Sequence, residues 1–295
     1  SEGATDVDLK DGHGTHVAGI IGAVADNGIG IVGVAPKVRL LPIHVLDSEG
    51  SGDSRDVARG IRYATDSGAR VINLSLGGSV ESTSLTSAVQ YAVEKGVLVV
   101  AASGNGFADS APKWPAASDL TLAVTSTDIN NNVGLFAQRG EYIDIAAPGV
   151  SICSAISSYT DAAYTTIASV SFNNKTYDYA KFSGTSMSGP VVAGVCALIL
   201  EANPWLSAAQ VKQLIKETAR TDNFTGVIPA LGSPLWGMGK LNAYAAVQEA
   251  LALVEVPENS LENAWNVYPN PVIELLHFTL VDELPKECTV VDAQG

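Results

Sequence analysis

Residues 71–106 read VINLSLGGSVESTSLTSAVQYAVEKGVLVVAASGNG, and this stretch decides the fold. Val71 to Leu76 is apolar enough for a buried strand and is closed by Gly77-Gly78. Leu85 to Lys95 carries helical spacing, and Gly96 releases the chain into the unbroken apolar run Val97 to Ala102. A strand, a helix and a second strand, repeated along the chain, predict a parallel sheet covered on both faces. Functional loops then collect beyond the carboxyl ends of the strands, at Ser75 to Gly78 and at Ala101 to Asn105.

The same alternation extends in both directions. Upstream, Ser54 to Ser67 is predicted as a helix with Val57, Ile61 and Ala64 on one face, and Leu40 to Leu46 as a buried strand interrupted by Pro42. Val17 to Ala25 is small and apolar until Asp26-Asn27-Gly28 breaks it, so His13 stands at the start of a short helix. Downstream, Leu120 to Val124 and Tyr142 to Ala146 are expected as strands, the second ended by Pro148-Gly149. Ser157 to Ala180 mixes polar and aromatic residues around Asn173-Asn174 and reads as a surface excursion that rejoins the core near Phe182. Ser186 to Ala202, apolar on nearly every face, is expected to be a central helix stopped by Pro204. Helices over Ser207 to Thr218, capped by Ser207, and over Leu241 to Leu253 complete the domain.

With 295 residues and 46% apolar content, the chain can bury one large core and still have material for a small second unit. Its 17 basic and 31 acidic residues give a net charge of −14, which disfavours a nucleic-acid partner, and no basic stripe interrupts that balance. Cys153, Cys196 and Cys288 are too few for a disulfide scaffold and lack zinc-site spacing. No apolar run reaches eighteen residues and no signal-peptide pattern is present, so no transmembrane segment is expected.

Three islands carry chemistry. Ser186 lies in Gly-Thr-Ser-Met-Ser-Gly-Pro (184–190), at a helix amino end where unpaired amides and positive potential favour a developing oxyanion. Alone, Ser186 would read as a helix cap; with a base elsewhere it reads as a nucleophile. His13, between Gly12 and Gly14, is an accessible base, while pairing with His16 as metal ligands is the weaker alternative because no third ligand follows at familiar spacing. His44 and His277 lie in extended apolar stretches and read as structural imidazoles. Asn105, in Ala-Ala-Ser-Gly-Asn-Gly (101–106), can donate an amide hydrogen to a negatively charged oxygen.

Together these islands resemble the subtilisin-like serine proteases over about Gly12 to Leu253, including Trp236 to Ala243 before the last helix. The resemblance implies an α/β, three-layer fold with a mostly parallel central sheet, and endopeptide hydrolysis through an acyl-enzyme. It makes Ser186 the nucleophile, His13 the base and Asn105 the oxyanion donor. Ser75, Leu76, Gly77 and Gly78 would bind substrate backbone, facing Ala101, Ala102, Ser103 and Gly104 across the side chain before the scissile bond. Those two walls contain no charged residue, so a broad or apolar preference is expected there. Val191, where many relatives have histidine, and the long 157–180 excursion are departures.

The family's orienting aspartate sits in a motif at the end of the first strand; Asp6, Asp8 and Asp11 do not follow an apolar strand and do not match it. The expectation is therefore of a peptidase domain over 1–253 that lacks its first strand and its aspartate. The loop carrying Val24, Asp26, Asn27, Ile29 and Ile31 resembles the family's calcium loop, a structural role; the chemistry itself requires no cofactor. Residues 254–264, with Pro257, Asn259 and three glutamates, form a linker. Residues 265–295, entered by Val-Tyr-Pro-Asn-Pro (267–271), resemble the start of a small β-sandwich sorting domain of type IX secretion. That implies contact with outer-membrane secretion machinery and a secreted or cell-surface location. The alternatives are a catalytically inactive scaffold, an inactive fragment, or a lipase or esterase. The last would call for a Gly-x-Ser-x-Gly elbow, and residues 184–188 lack its final glycine.

Overall fold

The computed structural model describes residues 12–47, 50–108, 110–157, 168–172, 175–253, 265–268 and 277–280. The chain divides into two compact units, Ser1–Leu251 and Ala252–Gly295.

The first unit is built on a parallel sheet in the order β1 (Val71–Leu74), β2 (Leu98–Ala102), β3 (Leu122–Thr127) and β4 (Ile145–Pro148). The apolar run in β2 is explained by burial on both faces. Leu98 and Val100 join one core with Leu122, Val124, Ile145 and Ala147, while Val99 and Ala101 join the other with Ile72, Leu74 and Ala123. The second core is covered by α2 (Ser54–Asp66) and α3 (Thr83–Glu94), through Val57, Ile61, Leu85 and Val89. The first is covered by α4 (Thr185–Ala202), α5 (Ala208–Glu217) and α6 (Ala243–Ala252), through Val192, Val195, Ile199, Val211, Leu214 and Ala246. Helix boundaries follow local chemistry: the Asp53 side chain accepts the Arg55 amide, and Ser207 with Gln210 forms a capping box.

Two expectations are corrected. Leu40 to Leu46 is not a strand, and Leu40 and Leu41 are 43% and 46% exposed. Pro42 has no amide hydrogen, and no described strand lies beside this segment to complete a ladder. Ile43 and Val45 still turn inward onto the core beneath α2, so the period of two survives without the pairing. The second correction concerns 157–180, part of which is sheet. β5 (Ile152–Ile156), β6 (Ala168–Phe172) and β7 (Lys175–Phe182) form an antiparallel sheet in the order β5-β7-β6. Tyr179, Ala180 and Phe182 of β7 are buried, and Ala180 and Phe182 join Ile20 of α1 (His13–Gly22) and Met187 of α4 in a third cluster.

In the second unit the described residues form one antiparallel pair, β8 (Trp265–Tyr268) with β9 (His277–Leu280). The predicted linker, 254–264, lies outside the described residues, as do Asp6, Asp8 and Asp11.

Candidate active site

Ser186 is the second residue of α4, after Gly184 and Thr185. The helix contains Pro190, which has no amide hydrogen for the carbonyl four residues back, that of Ser186. The Ser75 hydroxyl, just beyond β1, takes its place and donates to Ser186 O at 2.7 Å. Asn73 Nδ2 in turn donates to Ser75 Oγ at 2.9 Å, and Ser186 Oγ donates to Ser75 O at 3.3 Å. The end of β1 thus holds the nucleophile candidate from both its carbonyl and its hydroxyl. Sequence alone assigned Ser75 to the substrate rim and missed this second contact.

Asn105 stands beyond β2, exposed, with its amide fixed from one side. Its Oδ1 accepts from Thr185 N at 2.9 Å and from Thr185 Oγ1 at 3.0 Å. Thr185 is fully buried, and its hydroxyl also accepts the Gly104 amide at 3.1 Å. With Oδ1 so committed, the Nδ2 donors remain for another group near the amino end of α4. A Cβ on Gly184 would lie 3.2 Å from Asn105 Nδ2, which accounts for glycine at the approach to Ser186. The first amides of α4 have no intrahelical carbonyl to bond, so Ser186 N and Asn105 Nδ2 border a region suited to an oxyanion.

His13 opens α1, half-buried. Helix α1 packs on α4 through Val17, Ile20, Met187 and Val191. Val34 fixes the register: its amide bonds Ile20 O at 2.9 Å, and a Cβ on Gly194 would come within 2.6 Å of its Cβ. His13 thus opens the helix that packs on α4, and Ser186 is the second residue of α4.

His16 has another task. It is fully buried, its Nε2 donates between Ile152 O at 3.0 Å and Ala180 O at 3.2 Å, and its ring stacks on Phe182 at 4.2 Å. Burial pulls its imidazole down from 6.5 to about 4, against the opposing pull of the two carbonyls. It is a structural pin between α1 and the β5–β7 sheet, held through Nε2.

The two expected walls lie at the carboxyl ends of β1 and β2, which are neighbours in the sheet with Leu74 beside Ala101. Ala101, Ala102 and Ser103 are buried, and Ser103 O accepts the Tyr142 hydroxyl, which burial keeps protonated by raising it to about 12. Gly78 pairs with Trp114 by two backbone bonds of 2.9 Å. Gly104 has φ 112°, and a Cβ there would strike the Gln138 side chain, which is itself buried and accepts the Gly106 amide. Neither Gln138 nor Lys113, whose stem touches both walls, was identified from sequence, because neither belongs to the motifs.

The α1-exit loop is left-handed at Asp26, Gly28 and Gly30, with φ of 58°, 74° and 61°. A Cβ on Gly30 would overlap the hydroxyl of Tyr179, so β7 backs the loop. Asn27 Oδ1 accepts the Ile29 amide at 3.1 Å with one of its two lone pairs, and the exposed Asp26 carboxylate stands next to it in the chain. An exposed carboxylate on a tightly curled backbone fits a hard oxygen-seeking cation.

Residues 1–239 match the profile of the subtilase family. Thermitase of Thermoactinomyces vulgaris is 44% identical over 238 residues, covering 81% of this chain and 75% of that protein. Subtilisin Savinase of Lederbergia lenta is 41% identical over 239 residues, 81% of this chain and 78% of the relative. Among solved structures, fervidolysin from Fervidobacterium pennivorans, a keratinolytic enzyme related to subtilisin, superimposes with a TM-score of 0.71 at 33% identity. The match covers 81% of this chain and 36% of that one.

Proposed function

The chain belongs to the subtilase family, and on that premise we propose that it is a serine endopeptidase in which Ser186 attacks the peptide carbonyl. The observation that carries this reading is the joint hold on Ser186 and Asn105 by the Ser75 and Thr185 side chains at the amino end of α4. Ser186 Oγ would lose its proton to His13 as the C–O bond forms, giving a tetrahedral intermediate whose oxyanion is met by Asn105 Nδ2 and Ser186 N. His13 would then protonate the leaving amine, and the acyl-enzyme left on Ser186 would be hydrolysed by water with the same base. In the structure Ser186 Oγ donates to Ser75 O, so attack requires that the hydroxyl turn from this carbonyl to the imidazole.

Substrate backbone would lie along Ser75 to Gly78, with the side chain before the scissile bond between that rim and Ala101 to Gly104. The uncharged residues of both walls support a broad preference that includes apolar side chains. Calcium is proposed as a structural ligand, held by the carbonyls of Val24, Ile29 and Ile31 with Asp26, and takes no part in bond breaking. The Asn27 side chain is the alternative ligand to Asp26, since its Oδ1 keeps a lone pair beyond the Ile29 contact. A secreted or cell-surface location is proposed from the 267–271 motif.

A serine-directed phosphonate applied in parallel to wild type and Ser186→Ala tests the reading. Labelling and peptide cleavage are expected in wild type and absent from the variant; equal cleavage by both would remove Ser186 as nucleophile. Applied to intact cells of the source organism, the same reagent should label the protein from outside. Labelling confined to the cytosolic fraction would overturn the location.

A further inference from the structure

Lys113 brings a positive charge to a site whose walls are otherwise neutral. A Cβ on Gly77 would lie 3.2 Å from Lys113 Cβ, and a Cβ on Gly104 would lie 2.6 Å from Lys113 Cγ. The lysine stem therefore runs between the two segments read above as the walls for the side chain before the scissile bond. Its position is fixed by neighbours, since the paired backbone bonds between Gly78 and Trp114 hold the next residue against the rim. Lys113 O also accepts the Ala117 amide at 2.8 Å. Glycine at 77 and at 104 is what leaves room for the stem.

The ammonium group is partnered by a neutral oxygen. Lys113 Nζ donates to Ser79 Oγ at 2.7 Å, and among the described residues no carboxylate lies within ion-pair distance of it. An ammonium has three hydrogens to donate, so the exposed Ser79 hydroxyl leaves two. The other buried or half-buried lysines show the contrast: Lys212 and Lys216 meet Asp144, and Lys240 meets Asp222. Among the described residues Lys113 alone of these four has no carboxylate partner, and it is the one beside the two proposed walls.

We propose that Lys113 is a specificity-determining residue that selects an acidic side chain, above all glutamate, immediately before the scissile bond. This rests on the reading of Ser75 to Gly78 and Ala101 to Gly104 as the substrate walls. A glutamate carboxylate entering between them would accept the spare Nζ hydrogens in a charge-assisted bond, while glutamine of the same shape would offer a neutral carbonyl oxygen. Apolar side chains would still enter along the uncharged walls and the lysine methylenes. A cationic side chain would meet Lys113 and be rejected.

The test uses peptides that differ only in Glu, Gln or Lys before the cleaved bond. kcat/KM is measured for wild type, Lys113→Gln and Lys113→Glu. Binding of the corresponding amino-terminal product peptides to Ser186→Ala, with and without Lys113→Gln, is read by fluorescence anisotropy. Wild type is expected to favour Glu over Gln about tenfold, the size of one partly exposed charge-assisted contact. Lys113→Gln should bring the ratio to about one with the Gln peptide little changed, and Lys113→Glu should turn the preference toward Lys. A Glu to Gln ratio near one in wild type, or a ratio unmoved by Lys113→Gln, overturns the proposal. Retained Glu selectivity in the binding assay without Ser186-dependent hydrolysis would support it while refuting the nucleophile assignment, so the two readings fail separately.

Discussion

Ser75 shows how a single hydroxyl links fold and chemistry. Pro190 removes the amide that would have bonded Ser186 O, and Ser75 Oγ supplies a donor from a strand end 111 residues away. Ser75→Ala should leave that carbonyl without a donor and destabilise the protein by about 1–2 kcal/mol, measured by denaturant unfolding. Adding Pro190→Ala restores an intrahelical amide for the same carbonyl, so the double variant should recover most of the loss. Strictly additive losses would show that the Ser75–Ser186 bond contributes nothing. The proline was legible in the sequence as part of a motif, but its hydrogen-bond partner was not, because nothing local marks which hydroxyl will meet an orphaned carbonyl.

At the scale of elements, α1 and its exit loop are the most exposed to local chemistry. Small residues let both helices lie close to their neighbours: a Cβ on Gly19 of α1 would strike Ser154 Oγ of β5, and one on Gly194 of α4 would strike Val34 in the segment after α1. The loop that follows α1 curls through three left-handed residues and rests on Tyr179. If calcium occupies it, millimolar calcium should raise the thermal midpoint by several degrees, and Asp26→Gly, which keeps the left-handed φ without strain, should remove the increment while the calcium-free midpoint changes little. A midpoint indifferent to calcium in wild type would remove the metal from this loop. Helices α2, α4 and α5 were legible almost to the residue, since their caps and apolar faces are local. Segment 40–46 was not, because strand formation needs a neighbour that periodicity does not supply.

For the molecule as a whole, His16 joins layers that share no ladder. Its ring bonds β5 and β7, and its own carbonyl accepts Ser154 Oγ at 2.8 Å. Its folded pKa of about 4 lies below the 6.5 of an exposed imidazole, so the unfolded chain binds the proton first as pH falls. The contribution of neutral His16 is full above about pH 6.5 and is lost progressively as pH falls toward 4, by about 3 kcal/mol in all. Protonation of surface carboxylates works in the opposite sense on a chain of net charge −14, by relieving self-repulsion. Unfolding free energy measured from pH 7 to 4 in wild type and His16→Gln separates the two. The variant should start lower yet fall less steeply between pH 6.5 and 4, and parallel curves would exclude His16 as the source.

The sequence by itself determined the parallel α/β order, the two-sided core and the catalytic candidates, because strand runs, helix caps and motif spacing are set by residues near one another in the chain. Tertiary structure alone decided that residues 178–182 of β7 pair with β5 while β6 pairs with β7, that Leu40–Leu46 runs without a ladder, that His16 is a pin, and that Lys113 crosses two neutral walls. Each of these depends on which distant backbone or side chain supplies a partner. Hydrogen-bond satisfaction and charge compensation are settled only when the chain has closed on itself.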